Sequence, residues 1–187
     1  MDNLILKARI VEVNIDTIDI NNFKYNLHKM QVGTHESFKV LLPIYNDVSV
    51  GDCIVSKKWK VTRLGTSNKP VDLCIRVDEF ELAAPDEFEV SQYLNSKVVG
   101  MFLNSEKCSL RTIGPDLKPF YMATLKIKDS FNQSYDMIIV AFGSQAKKLS
   151  TVKKSSVLEC EVTIKKRKNN EGYEFAINNF EVKSEGN

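Results

Sequence analysis

The chain has 187 residues, 43% of them apolar and 27% charged, with a net charge of +2; this is the balance of a soluble globular protein of one large or two small domains. No apolar stretch approaches the roughly 20 residues of a membrane helix. Met1-Asp2-Asn3-Leu4 lacks the basic flank and apolar run of a signal peptide, so a cytoplasmic protein with no membrane partner is expected. Read in chain order, Ile5 to Val13 is rich in strand formers and is followed by a polar excursion from Asn14 to Asn22. Phe23 to Val32 and Phe38 to Tyr45 read as strands two and three, Asp52 to Leu64 as a long fourth and Leu73 to Leu82 as a fifth. Gly65-Thr66-Ser67-Asn68-Lys69-Pro70 is the turn between the last two. Asn46 to Gly51 is too short to hold a helix between strands three and four.

Ala83-Ala84-Pro85-Asp86-Glu87 then breaks the pattern, because proline restricts Ala84 to extended geometry and the acidic pair keeps the segment solvated. The expected organisation is a first barrel over 1–84, a linker over 85–96 and a second barrel over 97–187. The second half reads as strands over Lys97–Asn104, Phe120–Lys128 and Tyr135–Phe142, a helix over Gln145–Val152 capped by Ser144, and strands over Val157–Lys165 and Tyr173–Val182. Ala146, Leu149 and Val152, spaced by three, would face the barrel. Charge separates the halves: residues 1–84 hold 11 basic and 11 acidic side chains, 85–96 add three acidic ones, and 97–187 hold 15 basic and 10 acidic. The second half is the expected polyanion binder.

The two halves end alike. Leu73-Cys74-Ile75-Arg76-Val77-Asp78-Glu79-Phe80-Glu81-Leu82 aligns without gaps on Tyr173-Glu174-Phe175-Ala176-Ile177-Asn178-Asn179-Phe180-Glu181-Val182, which favours a duplicated fold. In the second half, the opening Lys97-Val98-Val99-Gly100-Met101-Phe102-Leu103, the apolar Ile138-Ile139-Val140-Ala141-Phe142-Gly143, the short helix, Lys153-Lys154-Ser155-Ser156 and the basic loop before the last strand are matched in order by one known group. This half resembles the bacterial single-stranded DNA-binding protein and primosomal protein N group. The resemblance implies an OB-fold, and strand count with the internal repeat extends that fold to the first half. The expected class is all-β: two tandem five-stranded Greek-key OB barrels, the second with a short helix between its third and fourth strands. The chain departs from the group in having no tryptophan in this half, with Asp136 at a third-strand position where one is common, and in ending Lys183-Ser184-Glu185-Gly186-Asn187 without an acidic, Pro-Phe-ended tail.

Strand two of the second barrel alternates, so Tyr121, Ala123, Leu125 and Ile127 should face in and Phe120, Met122, Thr124, Lys126 and Lys128 out. Both faces of strand three are apolar enough to be core; the resemblance places Phe142 on the ligand side. Lys165, Lys166, Arg167 and Lys168 form a basic run beside Tyr173, where a loop can grip a phosphate backbone or simply stay solvated. Lys57-Lys58-Trp59-Lys60 repeats the aromatic-in-basic pattern in the first half, although Trp59 shares a face with Val55 and Val61. Lys147, Lys148, Lys153 and Lys154 read as a solvated helix face. Candidate nucleic-acid contacts are therefore Phe120, Lys126, Lys128, Phe142, Lys165, Lys166, Arg167, Lys168 and Tyr173, with Lys58, Trp59 and Lys60 in the first barrel.

No nucleophile elbow, phosphate-binding glycine loop, H-E-x-x-H or acidic metal cluster is present, so no enzyme is expected. Cys53, Cys74, Cys108 and Cys160 are scattered, with only His28 and His35 as potential companions, and read as buried free thiols; neither metal nor cofactor is expected. The reading is a non-catalytic binder of single-stranded DNA in replication or recombination. Its rivals are an adaptor that docks a helicase, primase or polymerase, and an RNA-binding OB protein.

Overall fold

The computed structural model describes residues 4–34, 36–64, 72–85, 88–103, 109–128, 130, 132–166 and 173–186, and the chain divides into two compact units, Met1–Asn95 and Ser96–Asn187. In the first unit, β1 (Leu6–Ile20), β2 (Phe23–Val32), β3 (Glu36–Pro43), β4 (Cys53–Leu64) and β5 (Asp72–Ala83) close into a barrel in the order β1-β2-β3-β5-β4. Only the β3–β5 pairing is parallel. Alternate residues Leu6, Ala8 and Ile10 on β1, Met30 on β2, Phe38 and Val40 on β3, and Ile75 and Val77 on β5 fill the interior. The polar stretch after Asn14 does not break β1, which runs on to Ile20 and turns through Asn21 and Asn22 at φ 52° and 69°. Asparagine tolerates the left-handed pair that a two-residue hairpin needs. The register slips twice between Ile10 and Asp16, and from Val11 to Asp19 no side chain is buried, so the strand shows no apolar alternation. Residues 88–93 follow β5 and include Ser91, whose N–H donates to the Lys7 carbonyl at 2.9 Å and whose carbonyl accepts from Gly33 N–H at 2.8 Å.

The second unit is built from β6 (Leu94–Leu103), β7 (Arg111–Ile113), β8 (Lys118–Lys128), β9 (Ser134–Phe142), α1 (Gly143–Leu149), β10 (Val157–Lys166) and β11 (Tyr173–Ser184). β6-β8-β9-β11-β10 close into a five-stranded barrel in the same order as the first, and β7 is added to the edge of β8. The β7 strand is absent from the sequence reading: three residues, all exposed, leave no apolar pattern. α1 lies between the third and fourth barrel strands as expected but starts at Gly143, with Phe142 in the cap position and no side-chain cap bond. Gly143 leaves β9 at φ 58°, a left-handed turn that glycine makes without strain, so Ser144 is inside the helix rather than capping it. Ala146 and Leu149 are fully buried; Val152 lies beyond the helix end.

The repeat extends to register. Ile75 pairs in parallel with Val40, and its counterpart Phe175 with Ile139. Trp59 opposes Val77 and Lys58 opposes Glu79, skipping Asp78; Val162 opposes Ile177 and Glu161 opposes Asn179, skipping Asn178. The shared Asp/Asn of the two strand-five sequences is thus the extra residue of a β-bulge at the same place in both barrels, a feature that re-aims the following side chains.

Candidate nucleic-acid interface

On β8 the alternation holds: Tyr121, Ala123, Leu125 and Ile127 are buried, while Met122, Lys126 and Lys128 are exposed and Phe120 and Thr124 are half-buried. β9 follows with Tyr135, Met137, Ile139 and Ala141 buried and Asp136, Ile138 and Phe142 on the alternate side, where Val140 is nevertheless buried at 4% exposure. Cross-strand register pairs Phe120 with Phe142, Met122 with Val140, Thr124 with Ile138, Lys126 with Asp136 and Lys128 with Ser134. The two phenylalanine rings lie 5.4 Å apart at 50°, a tilted pair. The Lys118 ammonium is 5.8 Å from the Phe142 ring centroid, and Arg111 on β7 stands directly across from Phe120. Met122 is 44% and Ile138 43% exposed, large values for apolar side chains in the middle of a sheet. The face is an apolar strip with an aromatic end flanked by Arg111 and Lys118 and a cationic end at Lys126 and Lys128. Flat rings can stack on planar ligands, and ammonium groups spaced along the strip can neutralise a chain of anions.

The other candidates are placed differently. Lys165 is exposed on β10 opposite Glu174. The Lys166 side chain, Arg167 and Lys168 lie outside the described residues. Tyr173 is half-buried and falls on the same side of β11 as buried Phe175 and Ile177, which puts it at the barrel end rather than on the outward strip. In the first barrel, Trp59 is half-buried on the inward side with Val61, and its indole N–H donates to the Leu4 carbonyl at 2.8 Å. Lys58 and Lys60 are exposed on the alternate positions; Lys58 is ion-paired with Glu79 at 2.7 Å, and Lys60 opposes Arg76. Partial burial, and then the Arg76 charge, hold the Lys60 ammonium pKa below its ordinary value. Lys58, Trp59 and Lys60 are therefore not gathered on one surface. Lys118 and Arg111 were missed from sequence. The only local signal for them is the Gly114-Pro115-Asp116 turn between β7 and β8.

Among the described residues no cluster of three His, Cys, Asp or Glu side chains is arranged to hold a metal. Cys53, Cys74 and Cys160 are buried free thiols, and burial pushes the Cys160 pKa up to about 12. No helix among the described residues is long and apolar enough to cross a membrane.

No protein-family model matches the sequence, and no curated protein matches it. Solved structures do. The wild-type single-stranded DNA-binding protein from Thermus aquaticus is similar over 98% of this chain and 93% of its own, at 10% identity and a TM-score of 0.62. The mitochondrial single-stranded DNA-binding protein of S. cerevisiae covers 50% of this chain and 99% of its own at 14% identity and a TM-score of 0.42. The priB protein of Ralstonia solanacearum covers 47% of this chain and 96% of its own at 18% identity and a TM-score of 0.38. The fold of this chain, two tandem OB barrels, is the fold of the Thermus protein along nearly the whole length of both.

Proposed function

We propose that this chain binds single-stranded DNA without catalysis and keeps it unpaired during replication or recombination. The observation that carries this reading is the outward strip of β8 and β9, where the Phe120–Phe142 pair and the exposed Met122 and Ile138 lie between Arg111 and Lys118 at one end and Lys126 and Lys128 at the other. Bases stack on the rings and lie along the apolar centre, while phosphates meet the cations at the two ends. The sequence run Lys165, Lys166, Arg167 and Lys168 adds four positive charges to the same unit. The fold shared with the Thermus protein supports the same reading. The first barrel, with Phe23 68% exposed at the start of β2 and Tyr45 74% exposed in the turn after β3, supports a second role: docking a replication enzyme such as a helicase, primase or polymerase.

Fluorescence anisotropy of a labelled strand about 30 nucleotides long, with its duplex and an RNA strand of equal length, tests the reading at low and moderate salt. Single-strand binding that weakens with salt is expected, and absence of single-strand binding at low salt overturns it.

A further inference from the structure

The shared register allows the two barrels to be compared residue by residue. Val40 and Ile139 occupy equivalent places beside Ile75 and Phe175, and their partners across the sheet are His28 and Ala123. Three residues further on, Tyr25 opposes Pro43 in the first barrel where Phe120 opposes Phe142 in the second. On the fifth strands, Arg76 and Asp78 stand where the second barrel has Ala176 and Asn178.

Those two differences change the row. In the second barrel Ala176 offers only a methyl, and the Asn178 amide turns aside to donate to the Thr163 hydroxyl at 2.9 Å. Phe120 and Phe142 remain half-exposed. In the first barrel Tyr25 is only 8% exposed. The Arg76 guanidinium lies 5.8 Å from the Tyr25 ring centroid, a cation–π arrangement. Asp78 holds both groups: it accepts from Arg76 Nη2 at 2.9 Å and from the Tyr25 hydroxyl at 3.0 Å. A base approaching Tyr25 meets a guanidinium already seated on the ring, and removing it separates a charge-assisted pair.

We propose that Arg76 and Asp78 shut the base-stacking row of the first barrel, so that a single strand stacks its bases on the second barrel alone. The proposal rests on the single-strand reading of the second barrel. It makes the duplication a division of labour, with the selectivity set by two residues on the fifth strand.

The test copies each barrel's residues into the other. Strands carrying iododeoxyuridine are photo-crosslinked to the full chain and the modified peptides are mapped. Crosslinks to Phe120 or Phe142 without any to Tyr25 are expected in the wild type, with a new crosslink at Tyr25 in Arg76→Ala/Asp78→Asn. The reverse pair, Ala176→Arg/Asn178→Asp, is expected to lose the Phe120 crosslink and to bind about 5- to 150-fold more weakly, the worth of one stacked base. Tyr25 crosslinking in the wild type overturns the proposal, as does an unchanged crosslink pattern in both variants. If Arg76→Ala/Asp78→Asn fails to fold, the second-barrel pair decides alone.

The lock also has a readout that needs no DNA. Burial, and then the Asp78 hydrogen bond, hold the Tyr25 phenol above the ordinary tyrosine range. The Tyr25 phenol should therefore ionise later in the wild type than in Arg76→Ala/Asp78→Asn, read as the difference between their two absorbance titrations. A wild type that binds no strand yet shows this difference sinks the function while leaving the lock standing. One that binds at the second barrel without the difference sinks the lock.

Discussion

Replacing Lys126 and Lys128 by glutamine removes the two exposed cations at one end of the β8–β9 strip, without touching the buried alternate residues Leu125 and Ile127. Each phosphate contact on a single strand contributes roughly 0.7 to the slope of log affinity against log salt, so losing two lowers the slope by about 1.4. That corresponds to binding weaker by about 25-fold at 0.1 M salt and about 5-fold at 0.3 M, vanishing on extrapolation to 1 M. Asp136 faces Lys126 across the strands, so Lys126 is the residue whose share can fall short of a full contact. The assay is an anisotropy titration at five or more salt concentrations, run beside Lys147→Gln/Lys148→Gln, a control pair exposed on α1. A slope unchanged in the β8 variant, or lowered equally by the helix pair, refutes the assignment of phosphate contacts to this face.

Phe120→Ala should weaken strand binding by about 1–3 kcal/mol, the worth of a stacked base, whereas Phe120→Tyr should retain it; equal losses in a binding titration contradict stacking. Gly100 is buried on β6, and a Cβ there would lie 2.5 Å from Ile127 Cγ2 and 3.0 Å from the Lys126 carbonyl. Gly100→Ala should therefore destabilise the second barrel by about 1–3 kcal/mol, and an unchanged denaturation midpoint is the opposing result. His28 is 2% exposed, its Nδ1 accepts from Asn14 N–H at 3.2 Å, and desolvation holds its pKa below the usual 6.5. The unfolded chain takes up a proton near pH 6.5 that the folded chain refuses. This contribution to stability is therefore full above that pH and is lost as pH falls towards the depressed folded value. Urea unfolding between pH 7.5 and 5 should show a decline that His28→Leu flattens; equal declines in both proteins count against it.

The path from sequence to structure was most legible where the signal is local. Alternation of large apolar and polar residues on β8 assigns the inward and outward sets without any knowledge of a partner, because successive side chains of a strand point to opposite faces. The matched endings of β5 and β11 disclose the duplication for a similar reason, since both run the same alternation into the same bulge. Where a strand lacks that contrast, the reading failed. The end of β1 is polar on both faces and β7 is only three exposed residues, so neither shows a period.

The aromatic residues of the first barrel mark the other limit. Trp59 among lysines has the composition of a stacking site, yet alternation sends its ring inward and its N–H to Leu4, away from Lys58 and Lys60. Tyr173 beside the basic run is likewise on the inward side of β11. Sequence alone determined most of the strands and the outward set of β8, consequences of period-two patterning within one strand, while the two barrels followed from the resemblance and the repeated strand endings. Tertiary structure decided that Phe120 meets Phe142 and that Arg76 and Asp78 close over Tyr25. Those contacts depend on register between strands far apart in the chain, which is set by pairing and bulges that no single segment encodes.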